Sequence, residues 1–449
     1  MAHSEEKILK DTFAAALAVA EPKHIVPECL ARIFPAGSEP KGRCLVIGAG
    51  KASAAMATAL ESHAASHWPD AQLEGIVLTR YGHASPTKYI TIVEAGHPVP
   101  DQAGMDGAAQ MMRRVGELKA GDILIALVSG GGSSLLTLPQ AGITIGDMRQ
   151  TTEALLRSGA PIEEMNIVRK HLSAILGGNV ARLAIARGAR VEALLISDVT
   201  GDSPADIASG PCAADYSTYE DACAILAKYN LGSDVIPASV LTHLEKGRSG
   251  LIPETLKELD LVNQPVRNHV IATAHRSLEA AAECVRQFGY TPFILGDTIT
   301  GEAKDVALVH AGLAREALTH GQWGALPMAL ISGGECTVTL PAGVKGRGGR
   351  CSEFLLSLFA ATPDLGGIAA LAADTDGIDG SEKNAGAWFT PATRKRARDE
   401  HKRAGQYLAA HDCYGFFSEL GALVETGPTL TNVNDFRIIL LPAGLGAKP

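Results

Sequence analysis

The 449-residue sequence has no apolar run that approaches the roughly 20 residues of a membrane span. Its N-terminus, MAHSEEKILK, lacks the positively charged start and the small-residue cleavage site of a secretory signal. The formal net charge of −9 argues against a protein that binds nucleic-acid phosphates, because such proteins need clustered lysine and arginine. These absences predict a cytoplasmic protein that has neither a membrane nor a nucleic acid as its partner.

Several catalytic and metal-binding motifs are missing as well. The eight cysteines are scattered and include no Cys-x-x-Cys pair, which predicts buried, reduced thiols rather than a zinc or redox site. No serine stands in the Gly-x-Ser-x-Gly pattern of a hydrolase nucleophile. The strongest basic cluster, RKRARDEHKR at 394–403, contains acids and predicts the solvated face of a helix.

Short apolar strands alternate with alanine-rich helical stretches through the first half of the chain. The spacing of Ile8, Leu9 and Phe13 predicts an amphipathic first helix. RCLVIGAG, DILIALVSGG and VEALLISDVTGD are typical of buried strands, and residues 166–187 predict one long helical segment. Strands separated by helices of this length indicate a parallel sheet that is covered on both faces.

The second half resumes this alternation after a turn-rich stretch at 231–265, which predicts a domain boundary. A strand in ECTVTLPAGVKGRGGRC runs into a loop rather than into a helix, so the second sheet is predicted to be mixed. The predicted fold class is α/β, with two three-layer α/β/α domains and a cleft between them. The first domain, at 1–250, has a Rossmann-like parallel sheet, and the second, at 251–449, has the mixed sheet.

Two glycine-rich stretches follow predicted strands. Ligands of open parallel sheets bind at the carboxyl ends of the strands, where a glycine-rich turn can aim backbone N–H groups at an anion. The first stretch comprises Ser129, Gly130, Gly131, Gly132, Ser133 and Ser134, and the second comprises Ser332, Gly333, Gly334 and Glu335. Both predict bare turns that bind phosphate, and the alternative is a tight turn without a ligand.

The first strand ends in Gly50 and Lys51. A dinucleotide-binding fingerprint is excluded because Ser53 stands in place of the third glycine, and a Walker A loop is excluded because Leu45 stands in place of the first. What remains is a lysine at a strand-to-helix corner, which predicts an ammonium group directed at a phosphate or a carboxylate. The alternative is a solvated surface lysine.

Acidic side chains follow two other predicted strands. Asp198 and Asp202 lie just beyond VEALLIS, where a carboxylate can act as a general base, hold Mg²⁺ or cap a helix. Asp376, in DTDGIDG, has the same alternatives. A calcium loop is excluded there, because Ala385 stands where the twelfth-position glutamate is expected.

Cations are concentrated in the loop GVKGRGGR at 343–350. Arg347 and Arg350 on a glycine-rich scaffold suit phosphate recognition, and the alternative is a mobile surface loop. Glu335 is placed to orient one of these cations. His97, next to a turn in AGHPVPD, is predicted to line the cleft.

Taken together, these motifs resemble the glycerate kinase family that carries a MOFRL module at its C-terminus. The resemblance rests on motifs that occur in family order along nearly the whole chain: GAGKAS, AGHPVPD, SGGGSSLL, NIVRKHLSAILGG, ISDVTGD with IASGP, ISGGECTVT, GRGGR, DTDGIDG and GPTLTNVND. Two positions depart from the pattern, since Cys351 stands where asparagine is expected and Leu430 where glycine is expected.

The resemblance implies ATP-dependent phosphorylation of D-glycerate, usually at the 2-hydroxyl, with a divalent metal such as Mg²⁺. It implies that Lys51, Asp198 and Arg350 belong to the reacting centre and that Asn432 and Asn434 contact substrate. Asp198 and Asp376 are the candidate metal ligands. The MOFRL module falls in the second domain, the predicted partners are D-glycerate and ATP, and a homodimer is left open as the assembly.

Two alternatives remain at this stage. Some relatives of the family bear the name hydroxypyruvate reductase, which implies NAD(P)H-dependent chemistry on a similar small acid. The other alternative is a non-catalytic protein that binds a sugar acid or a sugar phosphate with the same turns. The defective dinucleotide fingerprint argues against the reductase, and the sequence shows no DNA-reading or partner module that a sensor would carry.

Overall fold

The computed structural model describes residues 4–321, 323–341, 343–365 and 367–443, and these form two compact units. The N-terminal unit comprises Pro22–Ile271, and the C-terminal unit comprises the residues up to Glu21 together with those from Ala272 onward. The first helix, α1 (Glu5–Ala18), confirms the predicted amphipathic helix and packs in the C-terminal unit through Phe13.

The N-terminal unit is built on a six-stranded sheet. Its strands are β1 (Gly42–Ala49), β2 (Ala71–Arg80), β3 (Ile90–Ala95), β4 (Ile123–Val128), β5 (Arg190–Ile196) and β6 (Val266–Ala272). They lie in the order β3-β2-β1-β4-β5-β6, and the pairs among β1 to β5 are parallel. The predicted Rossmann-like sheet is confirmed.

Helices cover both faces of this sheet. They are α2 (Pro22–Ile33), α3 (Ser53–His67), α4 (Gln102–Gly116), α5 (Gly132–Leu135), α6 (Ile145–Arg157), α7 (Ile162–His171), α8 (Asn179–Ala186), α9 (Tyr219–Lys228) and α10 (Ala238–Arg248), with 3₁₀ turns at Ile207–Ser209 and Glu258–Leu261. Leu45 and Ile47 of β1 pack with α4 and α8, whereas α3 packs against the same strands on the other face. Both faces of β4 are therefore buried, which explains its uninterrupted apolar sequence ILIALV.

The boundary between the units differs from the predicted position at 250/251. Strand β6 joins the first sheet beside β5, so residues 251–271 belong to the N-terminal unit. The turn-rich composition of 231–265 reflects the ends of α10 and a 3₁₀ turn rather than a linker.

The prediction of one long helix over 166–187 is wrong. Helix α7 ends at His171, and α8 begins at Asn179. Between them the hydroxyl of Ser173 accepts hydrogen bonds from the backbone N–H groups of Ile175 and Leu176, which replaces the helical pattern. The interruption turns the chain, so that α7 faces a cavity described below while α8 covers the sheet.

The C-terminal unit contains a second six-stranded sheet and a two-stranded one. Its strands are β7 (Thr291–Gly296), β8 (Gly301–Glu302), β9 (Met328–Gly334), β10 (Cys336–Thr337), β11 (Ala369–Asp374), β12 (Gly386–Phe389), β13 (Leu423–Val424) and β14 (Asp435–Leu441). The order β13-β12-β11-β14-β9-β7 combines antiparallel pairs with the parallel pair β7/β9. The predicted mixed sheet is confirmed.

Helices also cover both faces of the second sheet. They are α1 with α11 (Ala274–Gln287), α12 (Ala303–His320), α13 (Arg350–Ala361), α14 (Pro391–Asp399), α15 (Ala404–Ala409) and α16 (Cys413–Glu419). On β14, Phe436 contacts Phe13 of α1, and the next residue, Arg437, lies over Phe354 of α13. Because successive strand residues point to opposite faces, α1 and α13 lie on opposite sides. The unit has three layers, as predicted.

Two compositional predictions have mixed outcomes. All eight cysteines are free thiols, and six of them are buried, as predicted. The basic cluster at 394–403 is only partly a solvated face, because Arg394 is 4% exposed and its guanidinium lies over the rings of Phe359 and Phe389. Among the described residues, no helix has the length and apolar character that crossing a bilayer requires.

Candidate functional site

Three predicted site segments meet at one edge of the N-terminal sheet. Gly50 and Lys51 follow β1, the glycine turn at 129–134 follows β4, and Asp198 follows β5. Since β1, β4 and β5 are adjacent parallel strands, their carboxyl ends lie side by side. The predicted proximity of these three segments is therefore found within a single unit.

The loops after β1 and β4 are joined by hydrogen bonds. The backbone N–H of Lys51 donates to the carbonyl of Gly130 at 2.9 Å, and that of Ala52 donates to Ser129 Oγ at 3.0 Å. Ser129 is fully buried, so its hydroxyl holds the two loops together and faces the interior. Lys51 is thus fixed at the backbone by the glycine turn, which positions the base of its side chain.

Gly50 is required for this close approach, and we expect Gly50→Ala to destabilise the N-terminal unit by about 3 kcal/mol. Its φ is +140°, and a Cβ here would lie 2.1 Å from Ser129 Oγ and 2.4 Å from the carbonyl oxygen of Ser129. The measurement is a urea titration followed by Trp68 fluorescence, with Trp323 and Trp388 replaced by phenylalanine.

Gly42→Ala is the matched control. Its φ is also positive, at +82°, but no atom lies within 4 Å of a Cβ at this position. The control is expected to lose only about 1 kcal/mol, the cost of the backbone conformation alone. Equal losses in the two variants would show that the contact between the loops does not constrain residue 50.

A cavity of about 520 Å³ adjoins this edge of the sheet. Helices α6 and α7 form one wall of the cavity, and the glycine turn contributes Gly131 to the lining. The polar side chains that line it are His97, Ser133, Ser134, Thr137, Arg149, Thr152, Glu153, Asn166, Arg169, Asp198 and Asp206. The structure therefore places four of the predicted ligand-binding residues, together with His97, in one cavity.

The glycine turn presents its serines at the floor of the cavity. Ser134 Oγ donates to the carbonyl of Gly131 at 3.1 Å, and Ser133 Oγ lies 2.8 Å from Ser209 Oγ. The His97 ring lies so close to Gly131 that a Cβ on the glycine would be 2.7 Å from His97 Nε2. Gly132, the first residue of α5, packs against Ala208 and has no room for a side chain.

Arg169 lines the cavity and belongs to the motif NIVRKHLSAILGG, but no role was predicted for it from the sequence. Its guanidinium donates to the Asn166 side-chain oxygen and to the Ser133 carbonyl, each at 3.3 Å. Burial lowers the pKa of this guanidinium from its ordinary value. Among the described residues, no carboxylate forms an ion pair with it.

The second Ser-Gly-Gly stretch has a different structure, and the prediction of a bare turn at 332–334 is wrong. Ser332, Gly333 and Gly334 are the last residues of β9, and they pair with Arg437, Phe436 and Asp435 of β14. Ser332 is buried and hydrogen-bonds His310 Nε2 at 3.0 Å, and the carbonyl of Gly333 accepts from Arg437 at 3.0 Å. The β14 ladder therefore uses the backbone groups that were expected to face an anion.

Arg350 lies at the centre of an acidic cluster in the C-terminal unit. Its guanidinium contacts Asp435 at 2.6 Å, Glu335 at 2.8 Å and Asp374 at 2.9 Å. Glu335 thus orients one of the loop cations, as predicted. Burial by itself would lower the pKa of Arg350, but the three carboxylates outweigh that effect and raise the pKa above its ordinary value.

Asp435 also pairs with the fully buried Arg437 at 2.6 Å, so that Arg350 and Arg437 share this carboxylate. Neither Asp435 nor Arg437 was predicted from the sequence. The only available signal was the final Asp of GPTLTNVND, since the pairing depends on β14 lying between β9 and β11.

The remaining predicted residues of the C-terminal unit have local partners. Arg347 contacts Glu382 at 3.4 Å and lies over the Tyr414 ring. Asn432 accepts from the backbone N–H of Asn434 through its side chain at 3.3 Å, and both residues are buried. These contacts are made within the C-terminal unit.

Two aspartates of the DTDGIDG segment accept hydrogen bonds from backbone N–H groups, which is a structural role. Asp376 is buried, and its carboxylate accepts from the Ile378 N–H at 2.9 Å. Asp379 accepts from the N–H groups of Cys351 and Ser352, at 3.0 and 2.8 Å, and therefore caps α13. Complete burial raises the pKa of Asp379 to about 6, against the lowering effect of these hydrogen bonds.

Candidate ligands for a metal ion are carboxylates of both units. The two candidate ligands, Asp198 and Asp376, lie in different units. Within the described residues, no group of three or more His, Cys, Asp or Glu side chains is arranged to hold a metal. Asp198 and Asp206 line the same cavity, and one or two carboxylates completed by phosphate oxygens is the usual donor set for Mg²⁺. These residues fit a metal that arrives with a phosphate ligand.

Comparison with known proteins identifies the family. A model described as a domain of unknown function, DUF4147, matches residues 8–245, and the MOFRL family model matches residues 328–435. A Pyrococcus horikoshii protein named glycerate 2-kinase is 39% identical over 408 residues, which cover 91% of this chain and 89% of that one. This chain belongs to the glycerate kinase family.

A solved structure and a second relative extend the family comparison. The crystal structure of glycerate kinase from Thermotoga maritima matches with a TM-score of 0.84 and 33% identity, covering 97% of this chain and 99% of that chain. An Agrobacterium vitis protein named putative hydroxypyruvate reductase is 47% identical over 438 residues, which cover 98% of this chain and 95% of that one. The resemblance seen in the motifs is confirmed.

The two departures from the family pattern have clear structural positions. Leu430, where glycine is expected, has a φ of 59°, in the left-handed region that favours glycine. Cys351, where asparagine is expected, is fully buried at the start of α13, and burial raises the pKa of its thiol well above the ordinary value. Its backbone N–H still binds Asp379, so the cap of α13 is kept.

Proposed function

We propose that this protein is an ATP-dependent kinase that phosphorylates D-glycerate at the 2-hydroxyl and releases 2-phosphoglycerate. The proposal includes Mg²⁺ as the metal and a cytoplasmic location. It is supported by the relatives named glycerate 2-kinase and glycerate kinase, and by the chemistry of the N-terminal sheet edge. The observation that carries it is the presence of Lys51, the glycine turn and Asp198 after three adjacent parallel strands.

This arrangement suits phosphoryl transfer, which needs positioning and charge neutralisation more than covalent help. We assign Lys51 to the charge on the transferred phosphoryl group, and the glycine turn with Ser133 and Ser134 to phosphate oxygens. Arg350 is neutralised by Asp374, Asp435 and Glu335, so we assign it to holding that cluster rather than to touching substrate. This assignment revises the role that the family resemblance implies.

A bound Mg²⁺ would neutralise phosphate charge and orient the phosphates, and Asp198 with Asp206 would hold it. Asp206 also lies 3.5 Å from the buried Lys170. We assign Asp198 as the principal metal ligand. The alternative role that we propose for the Asp198 carboxylate is to accept the hydroxyl proton of glycerate. The Mg²⁺ dependence of an Asp198 variant distinguishes the metal-binding role from the proton-accepting role.

Asp198→Asn is expected to lower kcat by about 10²-fold or more and to raise the Mg²⁺ concentration required for half-maximal activity. The reason is that an amide cannot replace the charge of the carboxylate at the metal. The measurement is ADP formation as a function of free Mg²⁺. A lower kcat with an unchanged Mg²⁺ requirement would instead assign Asp198 to proton transfer.

Asp202→Asn provides the control for this variant. Asp202 belongs to the same loop but does not line the cavity, and its φ of 53° is one that asparagine also adopts. Its activity and Mg²⁺ requirement are expected to stay within about twofold of the wild type. A loss as large as that of Asp198→Asn would mean that the loop, and not the Asp198 carboxylate, sets the rate.

The second candidate is an NAD(P)H-dependent hydroxypyruvate reductase, favoured by the name of the 47% identical Agrobacterium vitis protein. Ser53 in place of the third fingerprint glycine argues against it, because that glycine lets the helix pack closely on the strand in dinucleotide-binding folds. Purified protein is incubated with D-glycerate, ATP and Mg²⁺ while ADP is followed, and with hydroxypyruvate and NADH while absorbance is followed. ADP release that requires glycerate supports the kinase, and NADH loss alone rejects it.

A further inference from the structure

We propose that the cavity of the N-terminal unit binds the nucleotide, with Arg169 as a phosphate-binding residue and α6 and α7 as the wall for the nucleoside. The inference rests on the proposed function, because it assigns a place to the ATP of that reaction. It goes beyond that function in naming the residues that recognise the nucleotide rather than the acid.

Arg169 supplies the first argument. Arg169 is a half-buried residue of the cavity wall, and the hydrogen-bonding partners of its guanidinium, the Asn166 side chain and the Ser133 carbonyl, are both neutral. A charge withdrawn from water without a counter-ion is costly, and in the described part of the chain no carboxylate pairs with it. An anion bound at the glycine turn would offset this cost, since Arg169 already touches the carbonyl of that turn.

The carboxylates that line the same cavity do not supply the missing counter-ion of Arg169. Asp206 lies 3.5 Å from Lys170, whose side chain is buried behind the cavity wall, and Glu153 lies 3.5 Å from Arg157. Both acids therefore have cations of their own. Asp198 is assigned above to Mg²⁺, and a metal-bound polyphosphate would carry the remaining negative charge towards Arg169.

The apolar side of the cavity supplies the second argument. Three large apolar side chains at its rim are more than half exposed: Val99 is 69% exposed, Leu156 is 61% exposed and Ile162 is 54% exposed. Met148 and Ile145 continue this surface inward. D-Glycerate is polar at every carbon and has no group that would cover such a wall, whereas the face of a purine ring would.

The size of the cavity supplies the third argument. If each non-hydrogen atom takes at most the roughly 30 Å³ of a liquid water molecule, glycerate fills no more than about 210 Å³. The cavity holds about 520 Å³. Glycerate would therefore leave more than half of the cavity unfilled, which favours the larger nucleotide as its ligand, with the phosphates at the glycine turn and the base against α6 and α7.

The contribution of the Arg169 charge to nucleotide binding is tested with two variants. Arg169→Met keeps a long side chain without the charge, and Arg169→Lys restores a cation. Calorimetric titration with ATP and Mg²⁺, in the absence of glycerate, is expected to give a Kd that is roughly tenfold to hundredfold higher for Arg169→Met. Arg169→Lys is expected to recover part of the loss. Arg113→Met, which removes an exposed arginine on α4, is expected to leave the Kd unchanged.

The apolar wall is tested with Leu156→Glu, and the matched control is Leu251→Glu. Leu251 is 75% exposed in the same unit but lies outside the cavity. Leu156→Glu is expected to raise the Kd for ATP by about tenfold, because a carboxylate is placed against the base. The Kd of Leu251→Glu is expected to match that of the wild type.

Steady-state kinetics then distinguishes an effect on ATP binding from an effect on glycerate binding. The KM for ATP is expected to rise in Arg169→Met and in Leu156→Glu, while the KM for glycerate stays within about twofold. A rise confined to the KM for glycerate, an unchanged Kd for ATP in both variants, or a wild-type protein that binds no ATP would each overturn the nucleotide assignment. Failure of the proposed function has a different signature, which is ATP binding by the wild type without any ADP formation in the presence of glycerate.

Discussion

Lys51→Ala is expected to lower the turnover of D-glycerate and ATP by about 10²–10³-fold, the usual cost of removing one charged contact to a transition state. The backbone N–H of residue 51 donates to the Gly130 carbonyl at 2.9 Å, and this bond does not depend on the side chain. The loops after β1 and β4 also remain joined through Ser129 and Ala52. The variant should therefore fold normally and bind its substrates, while its phosphoryl transfer is slow.

The measurement is kcat from ADP formation, with circular dichroism as the check on folding. Lys88→Ala is the matched control, because Lys88 is an exposed lysine of the same unit that lies over the Tyr89 ring and belongs to none of the loops after β1, β4 and β5. It should retain wild-type activity. Near-normal turnover by Lys51→Ala would remove Lys51 from the site and leave the sheet edge without its principal cation.

Arg350→Met is expected to destabilise the C-terminal unit by about 3 kcal/mol, because it leaves Asp374, Asp435 and Glu335 without their shared cation. Asp435 is buried, and its carboxylate would keep Arg437 and the backbone N–H of Cys336 as partners but would lose the charge of Arg350. Hydrogen–deuterium exchange read by mass spectrometry resolves the two units. The amides of β11 and β14 should exchange roughly a hundredfold faster, while those of β1 and β4 are unaffected.

Arg347→Met is the control from the same loop. Arg347 is half-exposed and its ion pair with Glu382 spans 3.4 Å, so its loss should cost less than about 1 kcal/mol. If Arg350→Met instead keeps normal exchange in β11 and β14 and loses only its activity, Arg350 contacts substrate and the structural role assigned to it is wrong.

Features that depend on local sequence were predictable. The apolar run of β4 and the Ala-rich helices indicated a parallel sheet, because strand and helix periodicities are properties of a short segment. Lys51 and Asp198 each follow directly after a predicted parallel strand. Their positions therefore predicted that both residues lie at the carboxyl edge of that sheet. The short range of these signals also explains the error over 166–187, where Ser173 ends the helical hydrogen bonding with its own side chain.

Features that depend on distant residues were not predictable. The sequence of the second Ser-Gly-Gly resembles that of the first, but β14 occupies its backbone, and β14 lies about a hundred residues further along the chain. The partners of Arg350 are separated from it by up to 85 residues in the sequence. Arg169 was visible within NIVRKHLSAILGG, yet its significance comes from a cavity that exists only in the folded unit.

The most direct test of the proposed function is a ³¹P NMR time course of the purified protein with D-glycerate, ATP and Mg²⁺. The proposed function predicts that a 2-phosphoglycerate resonance grows in step with ADP and that neither appears without glycerate. A 3-phosphoglycerate resonance would contradict the assigned hydroxyl. Unchanged ATP in the presence of glycerate would contradict the kinase itself.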